Sequence, residues 1–563
     1  MKKIKKIYPL VALAAAFTLT GCIDETEPEG GTATSEQVQG SPTAFQSSLL
    51  GIPAQMCQGY LVYGEQVHET DMAYPQLMIA QSEMLGDMFP EGSNSGYDWY
   101  RNYNTFSANY GETSYMAYLP WYTLYKFVKT ANSVISSAQG ASETVQNMAG
   151  SAYADRAFQY LTLMTLFEPK ENIYTDVSKV ANLTVPIITD TTTEAQAKNN
   201  PRVTHEKLMQ FILSDLDEAE KRLSNYTPST KLIPDLSVVY GIKAKAYLWD
   251  KDWANAAKYA RLAIDTNGGS PMTEDEWTNV NTGFTQATSG WMWYIHYDPE
   301  NMGNLCNFVG WMSGEADWGY ASLTRPSIDA SLYNHINKSD FRKHVFLDPD
   351  KFDYYNYQTC RTTEVDPNTG KVDPQKFIND APDYLSLKFR CKGGNYQTYS
   401  EGGAIDVPVM RIEEMYLIEA LAVGESQGVA AGEALLNNFM QTYRDPNYNY
   451  TNTDLQAFAF EVLAQMRIEF WGEGNAFPVA KMLGGRQLVN GVPGVLQYYS
   501  GSNAPASIFR INARGIKPNW NLVITNSESE ANQALIGNNN PDPTTSIRGA
   551  NAVINEFAPG NNK

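Results

Sequence analysis

Five of the eleven tryptophans, Trp277, Trp291, Trp293, Trp311 and Trp318, fall within one short stretch of this 563-residue chain. A second aromatic run, Tyr97-Asp98-Trp99-Tyr100-Arg101-Asn102-Tyr103-Asn104, lies in a segment rich in Gly, Ser and Asn. Aromatic faces bordered by amide and charged groups suit one chemistry in particular. A sugar lays its flat C–H face on an indole and turns its hydroxyl edge to hydrogen-bonding side chains. The run at 97–104 offers both parts. Trp291 and Trp293, in the strand-like Trp291-Met292-Trp293-Tyr294-Ile295, fit a packed core better, as does Trp277 at a helix start. Trp311 and Trp318, flanked by Gly310, Ser313-Gly314 and Gly319-Tyr320, fit an exposed loop and a packed one equally.

Covalent and metal chemistry find little support. Gly424-Glu425-Ser426-Gln427-Gly428 spells G-x-S-x-G, but a nucleophile elbow needs a strand before the serine, and here helices flank it on both sides, so it reads as an interhelical turn. The five histidines show no metal-ligand spacing. Asp366-Pro367-Asn368-Thr369-Gly370 begins like a calcium loop, yet Gly370 takes the third ligand position and Phe377 the place of the closing Glu, so it reads as a turn. Cys57, Cys306, Cys360 and Cys391 are too few for a disulfide scaffold; a Cys360–Cys391 bridge and buried thiols both fit. No pair among the many carboxylates stands out as a glycosidase pair. The chain reads as a binder without cofactor or metal, not an enzyme.

One cysteine has a different meaning. Lys2, Lys3, Lys5 and Lys6 precede an apolar run from Ile7 to Leu19, which ends in Leu19-Thr20-Gly21-Cys22. The run is too short to span a bilayer stably, and small residues before a cysteine look like a lipoprotein cleavage box. Residues 1–21 are therefore expected to be a signal peptide, with Cys22 acylated and the body hung from a membrane by lipid. Residues 22–44, acidic and then rich in Gly, Thr and Ser, are expected to be a flexible tether. Formal net charge is −20, and loss of the signal lysines makes the mature body more acidic still, which excludes nucleic acid as a partner.

The elements that must hold these residues are mainly helical. Apolar stripes at 3–4 spacing run through 121–135, 154–165 and 208–223. Two more, Val239 to Trp249 and Trp253 to Ile264, are separated only by Asp250-Lys251-Asp252, as in a tetratricopeptide unit. Further helices fit 410–423, 433–443 and 455–471. Between about 270 and 400 the stripes vanish and Gly, Pro, Asn and Tyr become frequent. The reading is a single domain over 45–563: a tetratricopeptide-like helical scaffold with a loop-rich irregular region carrying short strands. Residues 485–563 also read as loop-rich.

The order of these segments resembles the SusD/RagB family of surface glycan-binding lipoproteins of Bacteroidetes. Trp121-Tyr122-Thr123-Leu124-Tyr125 with Ala131-Asn132, Asp155-Arg156-Ala157-Phe158-Gln159-Tyr160, and Leu183-Thr184-Val185-Pro186-Ile187 carry the early part. Ser214 to Ala219, Ala244 to Leu248, Pro408 to Glu414 and Arg467-Ile468-Glu469-Phe470-Trp471-Gly472-Glu473-Gly474 continue it. After Gly474 the chain reads Asn475-Ala476-Phe477-Pro478-Val479 where many members have Arg-Phe-x-Asp-Leu, which marks a divergent branch. Arg467, Glu469, Glu473 and Asn132 are expected to serve structure.

The resemblance implies capture of oligosaccharides at the cell exterior and delivery to a SusC-like, TonB-dependent β-barrel of the outer membrane. Peptide or another nutrient as cargo is the alternative, and a surface glycoside hydrolase a further one. Acidic residues after Cys22 resemble the sorting signal of surface-exposed lipoproteins in Bacteroidetes. Ligand contacts in related proteins come from the loop before the first long helix and from the irregular insertion. A shallow cleft is thus expected from the 97–104 and 308–320 loops. Trp99, Trp311 and Trp318 would be its platforms, Asp98, Asn102 and Asn104 its hydroxyl partners, and Tyr320 would lie beside them.

Overall fold

The computed structural model describes residues 35–58, 74–90, 110–172, 174–300, 307–350, 380–484 and 516–546, and four two-residue strands between 487 and 514. Cys22, the 97–104 run, Cys306, Cys360 and the 366–370 turn lie outside the described residues.

The long helices are α1 Pro42–Cys57, α2 Tyr74–Leu85, α3 Tyr115–Ser137, α4 Gly150–Phe167, α5 His205–Leu223, α6 Leu236–Asp250, α7 Trp253–Asn267, α8 Ile412–Gln427, α9 Val429–Tyr443, α10 Leu455–Glu469 and α11 Ala476–Leu483. From α3 to α9 each packs against the next, and α10 packs on α8. Local chemistry sets the breaks. Asp235 and Asp252 cap α6 and α7 through the backbone N–H groups of Val238 and Asn255. Lys251 ends α6 in the left-handed conformation, at φ 61°, so that the chain reverses within two residues. The stripes expected from spacing face the core: Leu124, Val128, Leu161, Leu216, Ile242 and Ala260 are all buried.

Gly424-Glu425-Ser426-Gln427-Gly428, expected to be an interhelical turn, is instead the last turn of α8, with Gly428 alone joining it to α9. Ser426 Oγ donates to the carbonyl of Ala422, 2.7 Å away, and Gly428 sits at φ 104° before α9. A Cβ on Gly424 would lie 2.2 Å from the Phe458 ring, and one on Gly432 would lie 2.7 Å from Gly424 Cα. Small residues thus let α8 and α9 touch with a phenyl ring wedged against the crossing.

The chain leaves the stack after α7 and returns at α8, which docks directly on α7. Residues 268–411 are therefore an excursion laid against a continuous stack. They carry short helical turns, one small antiparallel pair of their own and a strand that pairs with residues 88–90. Strand β2 (Trp291–His296) pairs with β4 (Asp406–Arg411), and β1 (Met88–Pro90) with β3 (Pro326–Ile328). Trp277, Trp291 and Trp293 are fully buried, as their strand-like or helix-start settings suggested. Trp293 Nε1 donates to Leu232 O at 3.1 Å, and its ring meets Phe158 of α4 edge-on.

The expected tether is in part helical, and the loop-rich C-terminal region is tied down by hydrogen bonds. Helix begins at Ser35, inside the expected 22–44 tether, because Val38 and Phe45 are buried and Ser41 caps α1. Near the C-terminus, Asn540 of the polar Gly-Asn-Asn-Asn-Pro run donates to the carbonyls of Phe167 and Leu522, closing the end of α4. Buried Lys481 and Lys517 donate to the terminal carbonyls of α4 and α2 in the same way.

Candidate functional site

The excursion is fixed to the stack by a buried ionic cluster. Arg342, Lys388, Arg411 and Arg444 meet Asp340, Glu413, Glu469 and Glu473, all inaccessible or nearly so. Arg411, the last residue of β4, donates to Glu473 at 2.8 and 2.9 Å and to Glu469 Oε1 at 3.0 Å. Arg444 forks onto Glu469 at 2.8 and 2.9 Å, and Arg342 reaches it at 3.0 Å. Lys388 donates to Glu473 at 2.6 Å and to the carbonyls of Glu469 and Trp471. Burial alone would raise the Glu469 carboxyl, but three guanidinium groups hold it well below the usual range. Burial pushes Lys388 down to about 8 against the pull of Glu473. Four positive groups face four carboxylates, which is what makes the desolvation tolerable.

The Arg-x-Glu-x-x-x-Glu-Gly stretch at 467–474 is thus structural, but not through pairing along its own helix. Arg467 turns the other way and forks onto Asp87. Asn132 donates to Ile188 O at 3.1 Å and accepts from Arg156, which is bidentate on Asp215 at 2.8 Å. Cys391 is buried with its thiol 3.6 Å from Ser313 Oγ.

On this anchored excursion the expected platforms take another form. Trp311 lies in the short helix Phe308–Met312, capped by Asn307, and is 1% exposed. It stacks on Tyr320, the ring centroids 4.1 Å apart. Trp318 and Tyr320 are each 6% exposed. The expectation that Trp311, Trp318 and Tyr320 stand open beside a cleft is corrected: they are packing residues. Of the glycines that suggested a loop, Gly319 turns the chain at φ 67° and Gly314 serves close approach, as does Gly402 further along the chain. A Cβ on Gly402 would lie 2.6 Å from Trp318 Cη2, and one on Gly314 would lie 2.4 Å from Ser386 O. Among the described residues of the excursion, the large apolar side chains that reach solvent are Leu323 and Tyr399. Asp98, Trp99, Asn102 and Asn104 lie outside the described residues, so they are not brought into any arrangement with these rings.

A feature that sequence reasoning missed lies on the far side of α3. A cleft of about 1130 Å³ runs between the outer face of α3 and residues 186–192, with Gln39 and Gln55 at its rim. Its floor is Tyr122, Lys126, Lys129, Ser133 and Ser136, at 4-3-4-3 spacing. That polar stripe is the complement of the apolar one and was visible in the sequence as one face of a helix.

Comparison with known proteins fits this architecture. Residues 63–248 match a SusD-like family model described as starch-binding and associating with the outer membrane. A SusD-like carbohydrate-binding protein from Bacteroides vulgatus superposes with a TM-score of 0.64 at 21% identity, over 88% of this chain and 97% of that one. The fold is SusD-like. A SusD superfamily protein from Bacteroides thetaiotaomicron shares this SusD-like fold at TM-score 0.62 and 19% identity, over 89% of this chain and 99% of its own. Surface glycan-binding protein A of the same organism does so at 0.60 and 14%, over 89% and 99%. No curated protein matches the sequence. The likeness spans both the helical stack and the excursion, and the matched 63–248 segment contains the 97–104 run, α3 to α5 and most of α6. Among the described residues no helix is long and apolar enough to cross a membrane.

Proposed function

We propose that this chain is a nutrient-binding lipoprotein of the outer membrane that captures oligosaccharides on the outer face of the cell. It would hand them to a TonB-dependent β-barrel transporter. The observation that carries the reading is the match of residues 63–248 to a family model described as starch-binding and outer-membrane-associated. The charge balance and the run at 97–104 support it independently. Acyl chains on Cys22 would supply the membrane attachment. Trp99 would stack on the sugar, and Asp98, Asn102 and Asn104 would hold its hydroxyls. With Trp311, Trp318 and Tyr320 packed inward, the reading rests the ligand contacts on the 97–104 run.

A glycan screen of the body from residue 35 onward, followed by calorimetry, tests the ligand class. An aromatic platform in a wet site contributes on the order of 1 kcal/mol or somewhat more, so Trp99→Ala should weaken binding by about tenfold without lowering the melting temperature. Binding of peptides in place of sugars would overturn the cargo, and sugar release from the same panel would overturn the binder. Cys22→Ala should release the full chain from the membrane fraction. Purification in mild detergent should bring down a large β-barrel; recovery of this chain alone would count against the transporter.

A further inference from the structure

The α3 cleft has the features of a second ligand site. Its volume of about 1130 Å³ exceeds the roughly 300–1,000 Å³ of a small-molecule pocket, so it accommodates an oligomer. Its floor runs from Tyr122 to Ser136, about 21 Å along the helix at 1.5 Å per residue. One end is aromatic: Tyr122 stacks on Tyr118 with centroids 5.2 Å apart. The other end offers the exposed hydroxyls of Ser133 and Ser136.

Between these ends the charge is unusual for so acidic a chain. Lys126 and Lys129 lie one turn apart, and Lys129 forms no ion pair among the described residues. Burial, and then the neighbouring Lys129, lower the Lys126 ammonium from its ordinary value. The carboxylates of the walls are engaged elsewhere. Asp190 accepts from Gln139 at 2.8 Å and faces Arg156 at 3.6 Å. Glu528 is pushed up by burial and lies in hydrogen-bonding contact with Trp121. Two like charges in a concave polar groove, with the local carboxylates occupied, favour an anion between them.

We propose that this cleft is a second saccharide site, distinct from the 97–104 run, and that it selects sugars bearing carboxylate or sulfate groups. The anionic group meets Lys126 and Lys129, the neutral ring rests against Tyr122, and Ser133 and Ser136 take hydroxyls. The inference rests on the glycan-binding reading for its ligand class but not for its location.

Calorimetry with tetragalacturonate, a sulfated chondroitin tetrasaccharide and maltotetraose separates the possibilities. Wild type should bind at least one acidic probe, more weakly as salt rises because Lys126 is half-buried and Lys129 is exposed. The double variant Lys126→Gln/Lys129→Gln should lose at least tenfold in that affinity while its melting temperature and any binding of maltotetraose stay unchanged. The carboxylated and sulfated arms show which anion is preferred. Acidic binding that survives the double variant overturns the site, as does binding of maltotetraose alone. Neither of those results touches the broader function. Failure of every sugar in this set and in the wider glycan screen overturns both.

Discussion

The helical stack and the excursion at 268–411 are held in opposite ways. In the stack, each helix meets its sequence neighbour through apolar faces and small residues, and the turns are closed by nearby caps such as Asp252 and Gly428. In the excursion, order comes from charges delivered over long separations: Arg411 and Lys388 onto Glu473, Arg342 onto Glu469, and Arg390 onto Glu315 at 2.9 Å. Local periodic contacts make a scaffold tolerant of sequence drift, since any apolar residue of suitable size serves. A buried ionic cluster tolerates little, because each member lost strands another.

The sharpest test is therefore Arg411→Met, which leaves Glu469 and Glu473 with fewer partners in a dry interior. It should cost about 5 kcal/mol in urea denaturation, the upper range for breaking a buried pair. A loss below about 1 kcal/mol would show that the cluster does not hold the excursion. Next is Trp311→Ala. Because the indole stacks on Tyr320 beneath the surface, about 3–4 kcal/mol of stability should disappear with no direct effect on sugar affinity. An unchanged melting temperature with weakened binding would restore Trp311 as a platform. In the stack, Gly424→Ala pushes a methyl into Phe458 and should cost about 1–3 kcal/mol by thermal melting, as overpacking does.

The smallest effect is one of slope. Burial pushes Lys517 down to about 7, whereas an unfolded lysine keeps its proton to roughly pH 10.4. Between those values the unfolded state binds more protons, so this group makes stability rise with pH. Lys517→Met should flatten that rise, read as the difference in denaturation midpoint between pH 7 and pH 9. An identical slope in both proteins would mean that Lys517 is charged in the folded state.

The same contrast explains what could be read from sequence. The stripes at 121–135, 208–223 and 239–264 found their helices because burial of one face imposes a period that the residues must display. The strand at 291–295 was legible for the same reason. Glu469 and Glu473 looked like partners for a helix neighbour, since nothing local announces that Arg342, Arg411 and Arg444 will arrive from far along the chain. Trp311 and Trp318 were ambiguous because glycine marks both exposed loops and places where backbone must pass close to a ring. The role of Asn540 gave no signal because a side chain that closes a distant helix looks, in sequence, like any loop asparagine. Lys126 and Lys129 were overlooked since a charged helix face is usually only a wet one.

The direct docking of α8 on α7 has a consequence for how such a protein can change. The excursion begins and ends at one point of the stack, so its length enters the folding balance mainly as loop-closure entropy. That term grows with the logarithm of length, and doubling the excursion would add only about 0.6 kcal/mol. Segments can be inserted into it or exchanged at little thermodynamic risk, provided Arg411 and Lys388 still reach their carboxylates. A single helical frame can in this way support recognition surfaces of very different size.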